Sequence, residues 1–117
     1  MTVRRLKTYT GSQGYVYQYY FVGRRPALSG PSSTEYIFDV TSDRKTMFAV
    51  SVFLPREVTE SWAMQHGRAL TDAEQYAAVK LRLFKGFDEV EKMIEDGRKL
   101  ELNSPTLEEL LTSLGVA

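Results

Sequence analysis

Tyr15-Val16-Tyr17-Gln18-Tyr19-Tyr20-Phe21-Val22 is the stretch on which the fold turns. Nearly every residue in it is aromatic or β-branched, the types that suit a pleated, half-buried surface, so it predicts a strand. Side chains alternate along a strand, which puts Tyr15, Tyr17, Tyr19 and Phe21 on one face and Val16, Gln18, Tyr20 and Val22 on the other. Gly23 is expected to end the strand. Arg24–Ser33, with two prolines, a glycine and serines, reads as a loop.

Downstream, residues 35–41 and 46–54 alternate in the same way. Tyr36, Phe38 and Val40 share one face, and Phe48, Val50, Val52 and Leu54 share another. The short polar link Ser42-Asp43-Arg44-Lys45 predicts a β-hairpin between them. Upstream, residues 1–14 read as a polar arm ending in the turn-like Thr10-Gly11-Ser12-Gln13-Gly14, with an edge strand over 3–9.

From Pro55 onward the period changes to that of helices. Residues 56–66 form a first helix, stopped by Gly67. Thr71-Asp72-Ala73-Glu74 is a capping box that predicts a long helix over 72–95, with a stripe of Ala73, Tyr76, Ala77, Leu83, Phe84, Phe87, Val90 and Ile94. Gly86 inside it predicts either a close-packed neighbour or a bend. Residues 98–102 read as a short strand. Ser104 as cap and Pro105 at the first position open a last amphipathic helix over 104–115, with Leu107, Leu110, Leu111 and Leu114 on one face. Strands first and helices after give an α+β class: a single domain over 1–117, in which a small antiparallel sheet of three to four strands packs against one long and one or two short helices. The expected core is Phe48, Val50, Val52, Trp62, Phe84 and Phe87.

Composition narrows the chemistry. The chain has no cysteine, which excludes disulfides, thiolate metal sites and cysteine nucleophiles, and fits a cytoplasmic setting. The first residues lack the apolar run of a signal peptide, and no stretch is long enough to span a membrane. Formal net charge is zero. Residues 1–56 nevertheless hold eight basic and three acidic residues, so the first half is positive and the second negative. Such asymmetry predicts either an anionic partner or a basic sheet facing acidic helices within one fold.

No phosphate-cradling, zinc or calcium motif occurs, and no metal or cofactor is expected. His66 is the single histidine. It sits at a helix end, where an imidazole favours the negative pole of the dipole without any catalytic part. The acidic pairs, Glu57 with Glu60 and the run Asp88 to Asp96, read as solvated helix faces. Residues 56–84 resemble a helix-turn-helix only loosely, because the connection over 67–71 is too long.

Two features remain as candidate binding elements. Tyr15, Tyr17 and Tyr19, followed by Arg24 and Arg25, are the residue types that stack and neutralise single-stranded nucleic acid when a sheet exposes them. Leu107, Leu110, Leu111 and Leu114 form an LxxLL-containing stripe suited to docking on the chain's own domain, on another protein or on a second copy. The leading expectation is therefore a non-enzymatic, self-associating interaction domain with a protein partner. A nucleic-acid-binding protein using the tyrosine-rich basic strand is the alternative. A small enzyme or ligand-binding fold, with a pocket between sheet and helices lined by tyrosines and Trp62, is a third class.

Overall fold

The computed structural model describes residues 6–28 and 30–116. In chain order the elements are β1 (Lys7–Thr10), β2 (Val16–Ala27), β3 (Gly30–Thr41), β4 (Phe48–Pro55), α1 (Arg56–His66), α2 (Asp72–Glu89), α3 (Met93–Asp96), β5 (Lys99–Glu101) and α4 (Ser104–Ser113). Among the described residues one sheet forms, in the order β1-β2-β3-β4-β5. The first four strands run antiparallel, and β5 joins β4 in parallel. The α+β class is as expected, but the sheet is mixed and has five strands. The short strand read over 98–102 is Lys99–Glu101, which joins the sheet as its fifth strand with only Leu100 turned into the core. Of the edge strand expected over 3–9, Lys7–Thr10 holds; residues 1–5 lie outside the described residues.

The expected loop over residues 24–33 is instead the far end of a long hairpin. β2 continues to Ala27, the chain reverses, and β3 begins at Gly30. Pro26 is tolerated beside the turn, where a register shift already interrupts the ladder. A second shift lies between Phe21 and Gly23: Phe21 pairs with Phe38, and Gly23 with Ile37. Val22 is the additional residue of this bulge, and beyond it the inward and outward positions of β2 exchange.

All the helices cover the same face of the sheet. Phe87 of α2 stacks on Tyr17 at 4.2 Å between ring centroids. Phe84 stacks on Tyr9 at 4.3 Å, and Tyr76 meets Phe21 edge-on. The core comprises the inward residues of β2 to β4, with Val58 and Trp62 from α1, Leu83 and Phe87 from α2, Leu100 from β5, and Leu107 and Leu111 from α4. Of the expected core, only Phe84 is part-exposed.

Helix ends follow local chemistry. Thr71 and Glu74 form the predicted capping box: Glu74 N–H donates to Thr71 Oγ1 at 3.1 Å, and Thr71 N–H donates to Glu74 Oε1 at 2.9 Å. Arg68 adds a two-pronged contact to the same carboxylate, at 2.8 and 2.7 Å. α2 stops at Glu89, not near 95. The carbonyl of Asp88 accepts from Gln13 Nε2 at 2.9 Å, and its side chain holds Tyr9 Oη and Ser12 N–H, each at 2.8 Å. The β1–β2 turn thus takes over the end of the helix, and Val90 is extended. α4 is capped by Asn103, whose Oδ1 accepts from Thr106 N–H at 2.9 Å, one residue earlier than expected.

Glu74 makes the capping box pH-sensitive. The Arg68 guanidinium and the Thr71 N–H hold its carboxyl down from the ordinary 4.5 to about 2. A depressed folded-state pKa stabilises fully above the ordinary value and is lost as pH falls through the folded one. The wild type should therefore lose part of its stability between pH 4.5 and about 2. Glu74→Gln should remove that part of the slope in urea melts across the same range.

Gly86 answers to close packing and not to a bend. A Cβ added there would lie 2.7 Å from Leu100 Cδ1, inside any permitted contact. Gly86→Ala gains about 1 kcal/mol of helix propensity but overpacks a buried site at about 1–3 kcal/mol. A net loss in urea melts is the expected result, and pairing it with Leu100→Ala should shrink the loss attributable to Gly86→Ala.

Candidate interaction surfaces

The tyrosine strand does not present its rings as a platform. Tyr17 and Tyr19 are each 3% exposed, beneath α2, and only Tyr15 at the strand's start reaches solvent. Burial accordingly raises the hydroxyl pKa of Tyr17 and Tyr19. Arg24 and Arg25, consecutive on β2, face opposite ways, and the bulge at Val22 sets which faces where. Arg24 turns to the helical side and pairs with Asp72 of α2 at 3.3 Å. Arg25 turns to the opposite face and pairs with Glu35 at 2.9 Å. Tyr15, Tyr17, Tyr19, Arg24 and Arg25 are therefore not brought together on one surface. The physical reason is that α2 covers the tyrosine face, and that Arg24 and Arg25 lie on a continuing strand, where adjacent side chains alternate between faces, and not in the expected loop.

The leucine stripe is divided as well. Leu107 and Leu111 are fully buried against the chain's own core. Leu110 is partly buried and Leu114 is 42% exposed. Leu110 lines a surface groove of about 450 Å³ with Tyr9, Leu81 and Phe84, flanked by Lys85, Asp88 and Glu89. Docking of α4 is thus intramolecular along half its stripe. His66 joins the same region: its ring stacks on Trp62 at 4.3 Å and Nε2 lies 2.9 Å from Glu108 of α4. That position ties α1 to α4.

The expected pocket between sheet and helices is filled by packed side chains. Trp62, Tyr17, Tyr19, Tyr36 and Phe38 are buried there. Among the described residues no cluster of three or more His, Asp or Glu side chains could hold a metal ion.

The remaining surface is the second face of the sheet, which no helix among the described residues covers. Its residues are the outward positions of each strand: Gln18, Tyr20 and Val22 on β2; Ile37, Asp39 and Thr41 on β3; Ala49, Ser51 and Phe53 on β4. Sequence reasoning passed over these residues, although the alternation that identified the inward set also identifies them. Val22 is 39% exposed, and Ile37 and Phe53 are half-buried.

At the middle of this face lies Glu35, a carboxylate only 7% exposed although no helix covers it. Ser51 Oγ donates to Glu35 Oε2 at 2.6 Å, while Arg25 Nε donates to Oε1 at 2.9 Å. The Ser51 hydrogen bond and the Arg25 contact hold its carboxyl below the usual range, against the opposing effect of burial. A general base at neutral pH needs a pKa pushed the other way. Glu35 is accordingly a fixed charge within a hydrogen-bonded network. Nearby, Tyr20 Oη donates to Asp39 Oδ2 at 2.7 Å.

No protein-family model matches the chain, and neither does any curated protein or any solved structure. Among the described residues no helix is long and apolar enough to cross a membrane.

Proposed function

We propose that the protein is a non-enzymatic interaction domain that associates with a second copy of itself. The observation that supports this reading is the bare face of the sheet. Antiparallel sheets commonly leave one face to water, and then carry polar residues there. This face instead combines Val22, Ile37 and Phe53 with polar groups that bond one another. The charges described along it do not favour nucleic acid, since Arg25 and Lys99 are offset by Glu35, Asp39 and Glu101. A chain of zero net charge also meets no overall repulsion from its own copy.

Sedimentation equilibrium at micromolar to hundred-micromolar concentrations tests the proposal. The expected mass is twice the 13.3 kDa of the chain. A mass of one chain throughout that range overturns it.

A further inference from the structure

We infer that two copies join edge to edge, β1 pairing antiparallel with β1 of the partner subunit about a two-fold centred on Tyr9, so that the two sheets continue into one. The inference rests on the self-association proposed above and names the contact. Backbone register carries it. Gly11 N–H donates to Tyr15 O at 2.8 Å, and the register of β1 with β2 continues this bonded pair through Tyr9 with Tyr17 and Lys7 with Tyr19. The N–H and C=O groups of Thr8 and Thr10, both exposed residues, therefore point away from β2. Among the described residues no strand pairs with that edge. The opposite edge, β5, is closed: Arg82 of α2 donates Nε to the outward carbonyl of Glu101 at 3.0 Å. An open edge of β-forming residues is a template for another strand. The two-fold on Tyr9 sets Thr8 opposite Thr10 of the partner subunit, and Thr10 opposite the partner's Thr8, which makes four backbone hydrogen bonds. Both bare faces then lie on the same side, joined into one surface.

Charge identifies the incoming strand as that of a second copy. α2 runs alongside β1 on the helical side of the sheet, with Phe84 stacked on Tyr9, and with Asp88 bonded to the Tyr9 hydroxyl and to Ser12 N–H. At the other end of the strand Lys7 lies against Lys80, whose pKa is lowered by burial and by the Lys7 ammonium. The edge is thus positive at the Lys7 end, aromatic at its middle and negative at the Asp88 end. Among the described residues none of Lys7, Lys80 and Asp88 has an ion-pair partner. Such an order of charges is its own complement when reversed, as an isologous contact requires. The two-fold places Lys7 opposite the partner's Gly11. In each copy Asp88 sits over that glycine: a Cβ added there would lie 3.4 Å from its Oδ1. The unpaired lysines of each copy therefore gain the partner's unpaired carboxylate. Tyr9 meets its own counterpart across a non-bonded pair, where side chains come closest. The groove lined by Leu81, Phe84 and Leu110 lies beside it.

Substitutions along the edge test the geometry. Thr8→Pro removes an outward N–H and no bond within the copy, and proline is tolerated at such edge positions. It takes two hydrogen bonds from the contact, one in each direction, and should raise the dimer dissociation constant by roughly 30-fold. Lys7→Glu gives Lys80 an acidic neighbour in its own copy but sets a carboxylate against the partner's Asp88. The dimer should weaken by about tenfold, with no fall in the thermal melt of the subunit. The chain has no cysteine, so an introduced thiol is the only one. Thr8 is exposed, and Thr8→Cys should be linked into covalent dimers by a short bis-maleimide at low protein concentration. Ile37→Cys, on β3 and so separated from the edge by β2 and β1, should not be linked. Dimers that keep wild-type affinity in both Thr8→Pro and Lys7→Glu, or linkage at Ile37 equal to that at Thr8, overturn the inference and leave self-association through another surface, such as the bare face. If Thr8→Pro alters the fold, Lys7→Glu and the linkage pattern decide. A wild-type chain that stays monomeric overturns the self-association reading, and this inference with it.

Discussion

Phe87→Ala is expected to destabilise the protein by about 3–5 kcal/mol, the range for truncating a fully buried aromatic. Phe87 is 0% exposed and stands at the centre of the helix–sheet contact. Its ring stacks on Tyr17 at 4.2 Å and lies 5.8 Å from Tyr9 and 6.2 Å from Tyr19, so it touches both β1 and β2. Rings in such arrangements gain beyond the area they bury. The cavity left by alanine would be walled by tyrosines from two strands and by Phe84 of the same helix, which cannot all collapse into it. Because a domain of this size holds only about 5–15 kcal/mol in all, the variant should unfold at markedly lower urea. An unchanged urea midpoint would mean that α2 does not pack on the sheet as described.

That contact was legible in the sequence because two periodicities agreed. Alternation on β2 put Tyr17 and Tyr19 on one face, and helical spacing put Phe84 and Phe87 on one side of α2. The boundaries of α1 and the start of α2 were legible for a different reason, the local chemistry of Gly67 and of the Thr71–Glu74 box. What was not legible depended on contacts distant in sequence. The bulge at Val22 leaves no mark in composition, yet it decides that Arg24, and not Arg25, turns to the helical side. The end of α2 is set by Ser12 and Gln13, some seventy-five positions upstream, bonding to Asp88. The continuation of β2 and β3 past Pro26 and Pro31 overrides residue preferences that otherwise spell a loop. The bare face of the sheet escaped notice because alternation names two faces and does not say which one the helices cover.

Removing the chain after Asn103 should leave it largely unfolded, without converting a dimer into a folded monomer. α4 packs on both α1 and α2. Leu107 and Leu111 are each 0% exposed, and Leu110 and Val116 add partial cover. Each fully buried leucine is worth about 1.5–3 kcal/mol in transfer from water, so the two together supply about 3–6 kcal/mol of a margin of about 5–15 kcal/mol. Their loss would also uncover the side of the core where α4 packs on α1 and α2, and it would leave His66 without Glu108. A helix of ten residues is marginal in isolation, so in return the core is what keeps α4 helical. The measurement is a thermal melt with sedimentation on the same sample. Lost cooperativity, or a melting temperature lowered by tens of degrees, is the expected outcome. A truncated chain that melts like the wild type but sediments as a folded monomer would assign α4 to the contact between copies, and would move the interface from the sheet to the leucine helix.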